Sequence, residues 1–210
     1  MSEIESPFQS DDFEVIERST GFDGFLKIDR ISVRYRLFEG GWSNVIQREL
    51  QIKPPAVGVL LFDPERDKLV LVRQFRIGLI DEGQSPWLLE LVAGMVDVGE
   101  SPRDVAVRES QEEADCTPQN VEKIAEYYNS PGTSNERILL YCGQIDASQA
   151  GGIHGLDHEN EDIQVVTVDF GDAVTALEAG KLDNAMTIIA MRWLQLHHDE
   201  LIKRWSTAAE

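Results

Sequence analysis

Residues 94–113 read GMVDVGESPRDVAVRESQEE, and this stretch decides the fold. Its middle carries a helix start: Ser101 offers a hydroxyl cap, Pro102 takes the first helical position and Asp104 puts an acid in the first turn. The helix is expected to run to about Ala114, with Pro118 preventing much continuation. At about 100° per residue, Glu109, Glu112 and Glu113 fall within one third of the helix circumference, while Val107, Ser110 and Ala114 lie on the opposing side, where a core would be. Like charges at these spacings repel, so a helix gains nothing from three carboxylates on one face unless a cation sits among them. Oxygen ligands that leave room for waters and substrate phosphates describe a Mg2+ or Mn2+ site. The competing reading, a solvated acidic face, is the commoner one for an isolated ExxEE.

Outward from the helix, the chain is strand-rich first and helical last. Ile31, Val33, Tyr35 and Leu37 alternate with Ser32, Arg34 and Arg36, the period of a half-buried strand. Glu39-Gly40-Gly41 turns into a second alternating stretch at 45–52, so residues 13–53 read as a small sheet of their own, closed by Pro54-Pro55. The predicted division is therefore an N-terminal β-domain over 1–53 and a larger domain over 54–210. Residues 57–62 and 69–75 flank a turn at 63–67 and predict a buried hairpin at the centre of the main sheet. Further strands are expected at 87–92, 121–128, 137–145 and 163–168. A glycine-bearing loop spans 147–160, and a final helix opens at Asp183 with an apolar stripe of Met186, Ile189, Ala190, Trp193 and Leu201.

Composition narrows the function. The chain has 210 residues, 38 acidic against 19 basic, and a formal net charge of -19. Such a charge repels nucleic acid and anionic membranes, and no Lys/Arg cluster offsets it. A phosphate-bearing substrate must then be met by a divalent cation or a few placed arginines. Cys116 and Cys142 read as reduced thiols. The first residues show neither a basic n-region nor an apolar run, so a cytoplasmic location is expected.

The frame around the helix is what favours a metal site over a solvated face. Gly94, Glu100, Arg108, Glu109, Glu112 and Glu113 fit the Nudix box, G-x5-E-x7-R-E-U-x-E-E-x-G-U, where U is aliphatic. The sequence therefore resembles the Nudix hydrolases. It departs from the box at Ser110, Asp115 and Cys116, all on the packing or capping side. Pro131, fifteen residues after Cys116, matches the proline that distinguishes the ADP-ribose pyrophosphatases of that superfamily. The segments at 87–94, 130–132, 136–137, 152–156, 159–163 and 190–198 are also similar to the bacterial members, so the likeness covers nearly the whole chain.

That resemblance implies an α/β/α sandwich around a mixed sheet, preceded by an antiparallel β-domain exchanged across a homodimer. It implies metal-dependent hydrolysis of ADP-ribose to AMP and ribose 5-phosphate. Metal ions, Mg2+ with Mn2+ as a substitute, would be held by the Ala93 carbonyl and by Glu109, Glu113 and Glu161, with Glu112 bridging nearby as a catalytic residue. The general base falls at Glu159. His154, His158 and Glu161 of the same loop are the alternatives, and Gly151, Gly152 and Gly155 would let the loop close. Arg76 is expected on phosphate, Glu136 on the terminal ribose and Met95 beside the site. Phe25, Arg48 and Glu49 correspond to family positions that hold the adenine and diphosphate side, and Lys53 stands where relatives carry arginine. Glu90 reads as support for the catalytic loop. A pyrophosphatase for another nucleoside diphosphate sugar, such as ADP-glucose or GDP-mannose, and a non-catalytic ADP-ribose sensor are the rival readings.

Overall fold

Two compact units emerge from a computed structural model that describes residues 4–206. The first three residues, part of the stretch read above for a leader, lie outside it.

The first unit comprises residues 4–54 and 128–137. Its strands β1 (Phe13–Asp23), β2 (Lys27–Tyr35) and β3 (Ile46–Ile52) form an antiparallel sheet in that order. Register runs from Phe13 opposite Tyr35 to Asp23 opposite Lys27, with irregularities at Val15/Glu17 and Thr20/Phe22. Such bulges bend a strand and increase its twist. The alternating stretch ends earlier than its pattern suggests: Arg36 makes only an isolated bridge to Trp42, whose ring receives the guanidinium groups of Arg34 and Arg36 at 4.9 and 4.4 Å. Residues 128–137, far away in sequence, belong here because Gln51 bridges Ser134 and its N–H donates to the Thr133 carbonyl at 2.8 Å.

The second unit comprises residues 55–127 and 138–206. It contains β4 (Ala56–Asp63), β5 (Lys68–Phe75), β6 (Trp87–Glu90), β7 (Val92–Met95), α1 (Pro102–Ala114), β8 (Asn120–Tyr128), β9 (Arg137–Gln144), β10 (Gly152–His154), β11 (Ile163–Asp169), α2 (Phe170–Glu178) and α3 (Ala185–Ser206). The sheet runs β10-β11-β5-β4-β9-β8, with β6 added on β5 and β7 on β4. It is mixed, because β4 pairs parallel to β9 and antiparallel to β5 and β7. Alternation along β4 separates two cores. Val57, Val59 and Leu61 pack with Val105, Ala106 and Ala114 of α1, whereas Leu60 and Phe62 pack with Leu177 of α2 and Met191, Leu194 and Leu201 of α3. Helices on both faces of a mixed sheet make the expected α/β/α layers.

The 63–67 turn is wound around one carboxylate. Asp63 Oδ1 accepts the N–H groups of Glu65 and Arg66, and Oδ2 accepts from Ala147 N–H at 2.8 Å. Phe170 begins α2 without a strong start signal, since Asp169 makes no side-chain cap bond. Asn184, rather than Asp183, caps α3: its Oδ1 accepts from Thr187 N–H at 3.3 Å. His198 of α3 stacks on Phe170 and bonds Asp67. Among the described residues, no helix is long and apolar enough to cross a membrane.

Candidate active site

Helix α1 presents the acids, and its ends are fixed as its residues dictate. Ser101 Oγ accepts from Asp104 N–H at 3.2 Å. At the other end Asp115 takes the left-handed conformation, φ 50°, and the N–H groups of Asp115 and Cys116 return to Gln111 and Ser110 carbonyls. Asp therefore serves where the box has glycine. Ser110 is fully buried and its hydroxyl donates to the Ala106 carbonyl at 2.6 Å, so the polar atom in an apolar slot is satisfied.

Burial divides the three glutamates differently from the expected pattern. Ser110 and Ala114 do face the core, but Val105 and Ala106 lead that face and Val107 is only half-buried. Glu113 belongs to the buried face, at 3% exposure, because β7 runs beside it and the Ala93 N–H donates to its Oε2 at 3.0 Å. Burial above all, helped by the charges of Glu109 and Glu161 and opposed by that backbone bond, pushes the Glu113 carboxyl up to about 8. Glu109 lies across Gly94, and burial pushes it up to about 7 despite the attraction of Arg108.

Arg108 holds the cluster together. Its Nε and Nη2 donate to the two Glu100 oxygens at 3.1 Å each, and its Nη1 donates to Glu109 at 2.9 Å and Glu112 at 2.8 Å. The same bonds hold Glu100 below the usual carboxylate range. The sequence motif contains Arg108, but its role as a clamp needs the fold to bring Glu100 back onto the helix.

A cleft of about 300 Å3 opens above this face, and Ala93, Met95, Glu109, Glu112, Glu159 and Glu161 all line it. The loop acids reach it through a tight turn. Leu156 N–H donates to Glu161 Oε2 at 3.1 Å, and Asn160 adopts φ 56°. Gly155 has φ 102°, and a β-carbon there would lie 2.7 Å from that of Glu161. Glu159 is exposed, with His158 3.6 Å away and more exposed still. His154 instead turns its Nε2 to the Gly151 carbonyl at 2.8 Å.

A divalent cation fits this donor set. The donors are all oxygen, and the charge of the part-buried Glu109 bears on the buried Glu113, with the Arg108 guanidinium to relieve Glu109. Among the described residues no three such side chains are drawn into a closed cage. The cleft brings Ala93, Glu109 and Glu161 together, while the buried Glu113 is not among the residues that line it.

Arg76 begins the loop after β5, and its Nε donates to Glu90 Oε1 at 2.5 Å. The remaining expected residues belong to the first unit. Phe25 is fully exposed in the β1–β2 turn. Glu49 pairs loosely with Arg30 at 3.5 Å, and Arg48 donates to the Gln47 carbonyl. Glu136 is buried, its carboxylate held by Lys53 on one oxygen and Asn129 on the other, at 2.8 Å. Burial works to raise Glu136, but these two partners hold it below the usual carboxylate range. Lys53 is thus committed to Glu136.

Known proteins resemble this chain. The NUDIX domain family matches residues 52–186. The ADP-ribose pyrophosphatase of Haemophilus influenzae is 45% identical over 208 residues, 98% of this chain and 95% of its own length. That of Escherichia coli strain K12 is 44% identical over 199 residues, 95% of each chain. The GDP-mannose pyrophosphatase of Cronobacter sakazakii is 31% identical over 155 residues, 71% of this chain and 78% of its own. A crystal structure of an ADP compounds hydrolase superposes with a TM-score of 0.70 at 17% identity, over 95% of this chain and 98% of that one, which bears on the fold alone. With a match over most of its length and a box helix built as the motif requires, the chain belongs to the Nudix hydrolase family.

Proposed function

We propose that this protein hydrolyses the pyrophosphate bond of ADP-ribose to AMP and ribose 5-phosphate, using Mg2+ or in its place Mn2+, as a cytoplasmic homodimer. The observation that carries the reading is the cleft lined together by Ala93, Met95, Glu109, Glu112, Glu159 and Glu161, with the buried Glu113 bonded to the Ala93 N–H. Similarity to two ADP-ribose pyrophosphatases over nearly the whole chain supports the substrate.

The Ala93 carbonyl and the carboxylates of Glu109, Glu113 and Glu161 would hold the metal, with Glu112 alongside. Divalent cations, when bound, neutralise a diphosphate and make water a better nucleophile. The residues supply the rest. Glu113 is oriented by the Ala93 N–H, and Arg108 keeps Glu109 and Glu112 side by side on the cleft wall. Glu159, exposed and tied to no metal in this assignment, takes the proton from the attacking water onto its carboxylate. Arg76 grips a phosphate and Met95 borders the sugar side. Residues 1–53 form a domain that dimerises by exchange and brings Phe25, Arg48 and Glu49 to adenine and diphosphate, while Glu136 meets the terminal ribose; residues 54–210 carry the chemistry.

The likeness to a GDP-mannose pyrophosphatase favours a second reading, the same chemistry on another nucleotide sugar. Product formation from ADP-ribose, ADP-glucose, GDP-mannose and ATP, each with Mg2+ and again with EDTA, separates the two. Metal-dependent release of AMP, fastest from ADP-ribose, is expected. Fastest turnover of another sugar nucleotide changes the substrate and keeps the mechanism; binding of ADP-ribose without turnover makes the protein a sensor.

A further inference from the structure

Glu90 is a carboxylate at 1% exposure within a sheet, and neither of its oxygens is idle. Oε1 accepts from Arg76 Nε at 2.5 Å, and Oε2 accepts from Asn184 Nδ2 at 3.0 Å. Asn184 is itself fixed, since its Oδ1 caps α3 by accepting from Thr187 N–H. The two bonds settle the amide orientation together: a flipped Asn184 would set oxygen against the Glu90 carboxylate and NH2 against the helix N–H. A continuous chain of hydrogen bonds therefore runs from the first turn of α3, through a buried carboxylate, to a guanidinium at the end of β5.

The way Arg76 is held determines what it can still do. A guanidinium offers donors along two edges, and Glu90 takes the Nε side. Nη1 and Nη2 have no hydrogen-bond partner among the described residues, and the side chain is 42% exposed. The Nη1 and Nη2 donors, which as an end-on pair match two oxygens of one phosphate, are thus left unused by Glu90.

We infer that Asn184 is a positioning residue for phosphate binding: it fixes the plane of the Glu90 carboxylate, which in turn fixes the direction of the Arg76 fork. Without the Asn184 donor, Glu90 retains only Arg76, its carboxylate is free to rotate about its terminal bond, and the fork swings with it. Burial raises the Glu90 pKa while Arg76 opposes this, so a second donor also favours the charged form that Arg76 needs. The inference rests on the assignment of Arg76 to phosphate made above.

The bland alternative is that Asn184 only caps α3. Asn184→Ser separates the two roles, because serine caps as well but is too short to reach Glu90. With Mg2+ and ADP-ribose as the probe, KM should rise roughly fivefold to tenfold, as expected for losing one bond to a charged group at second hand, with kcat within about twofold. The thermal midpoint should stay within about 2 °C of the parent. The deciding arm is the Arg76→Lys background, where Asn184→Ser should add no further loss, because lysine has no fork left to orient. Losses that multiply in the double variant, or an unchanged KM in Asn184→Ser beside a strongly impaired Arg76→Lys, overturn the inference alone. An unimpaired Arg76→Lys overturns the phosphate assignment beneath it, and a parent that does not turn over ADP-ribose overturns the proposed function. Should Asn184→Ser fold poorly, Asn184→Thr keeps a hydroxyl cap that is likewise too short to reach Glu90 and is read in the same way.

Discussion

Glu109 occupies the space that a side chain at Gly94 would need: a β-carbon on Gly94 would stand 1.8 Å from Glu109 Oε1 and 2.0 Å from its carboxyl carbon. Glycine matters here through close approach, because any β-carbon would force Glu109 to move, and no left-handed backbone demands it.

Gly94→Ala should therefore displace Glu109 from the cleft wall and lower metal-dependent turnover about 100-fold, as misplacement of a site group by about 1 Å can do. Turnover as a function of Mg2+ concentration checks this. Full activity at ordinary Mg2+ would show that Glu109 can vacate its place without consequence.

Glu113→Gln keeps an acceptor for the Ala93 N–H and removes the charge, so the fold should persist while metal-dependent turnover is abolished. Circular dichroism and turnover measured on the same sample test both halves. A variant that still responds to Mg2+ would take Glu113 out of the metal site.

Glu159→Gln should lower kcat by about 10²-fold or more while changing ADP-ribose affinity little, the pattern of a lost proton acceptor. Equilibrium binding beside steady-state kinetics distinguishes the two. Unchanged turnover would move the base to Glu161, the other loop acid lining the cleft.

The raised carboxyls also set a pH dependence for the metal-free protein. Folding raises Glu109 from 4.5 to about 7 and Glu113 from 4.5 to about 8, so between those limits the folded chain holds more protons than the unfolded one. Stability contributed by these groups is full below about pH 4.5 and is lost as pH rises through 7 and 8. In EDTA the thermal midpoint should fall from pH 6 to pH 8, and it should fall less in Glu113→Gln. Because bound ligands must be deprotonated, stabilisation by Mg2+ should be larger at pH 8 than at pH 6. Equal slopes in parent and variant would remove Glu113 as a source.

Local pattern reveals what neighbours in sequence decide. Ser101 and Pro102 mark the start of α1, Pro118 limits its end, and the alternation from Ile31 marks the first sheet. It does not reveal which of three equivalent-looking glutamates is buried. Glu113 rather than Glu112 goes inside because β7 passes on that side, a fact of sheet topology. Partners distant in the chain are equally hidden: Lys53 meets Glu136 only because the 128–137 segment joins β3, and Asn184 meets Glu90 only because α3 crosses the sheet. Helix α2 follows β11 without a break or a side-chain cap, so no punctuation announces it. Burial, which pushes the Cys116 thiol up to about 11 and Cys142 higher still, agrees with inert thiols.

Arg108 has one further effect. By answering Glu100, Glu109 and Glu112 at once, it serves as a resident counterion for a helix face that would otherwise have to wait for metal before it could form. Folding and metal loading are thereby made separate events, unlike small metal-nucleated domains, which come apart when chelated. Under the proposed function, a cell short of magnesium would hold this protein idle but intact, ready to resume when the ion returns, and a chelated sample should keep its full circular dichroism spectrum.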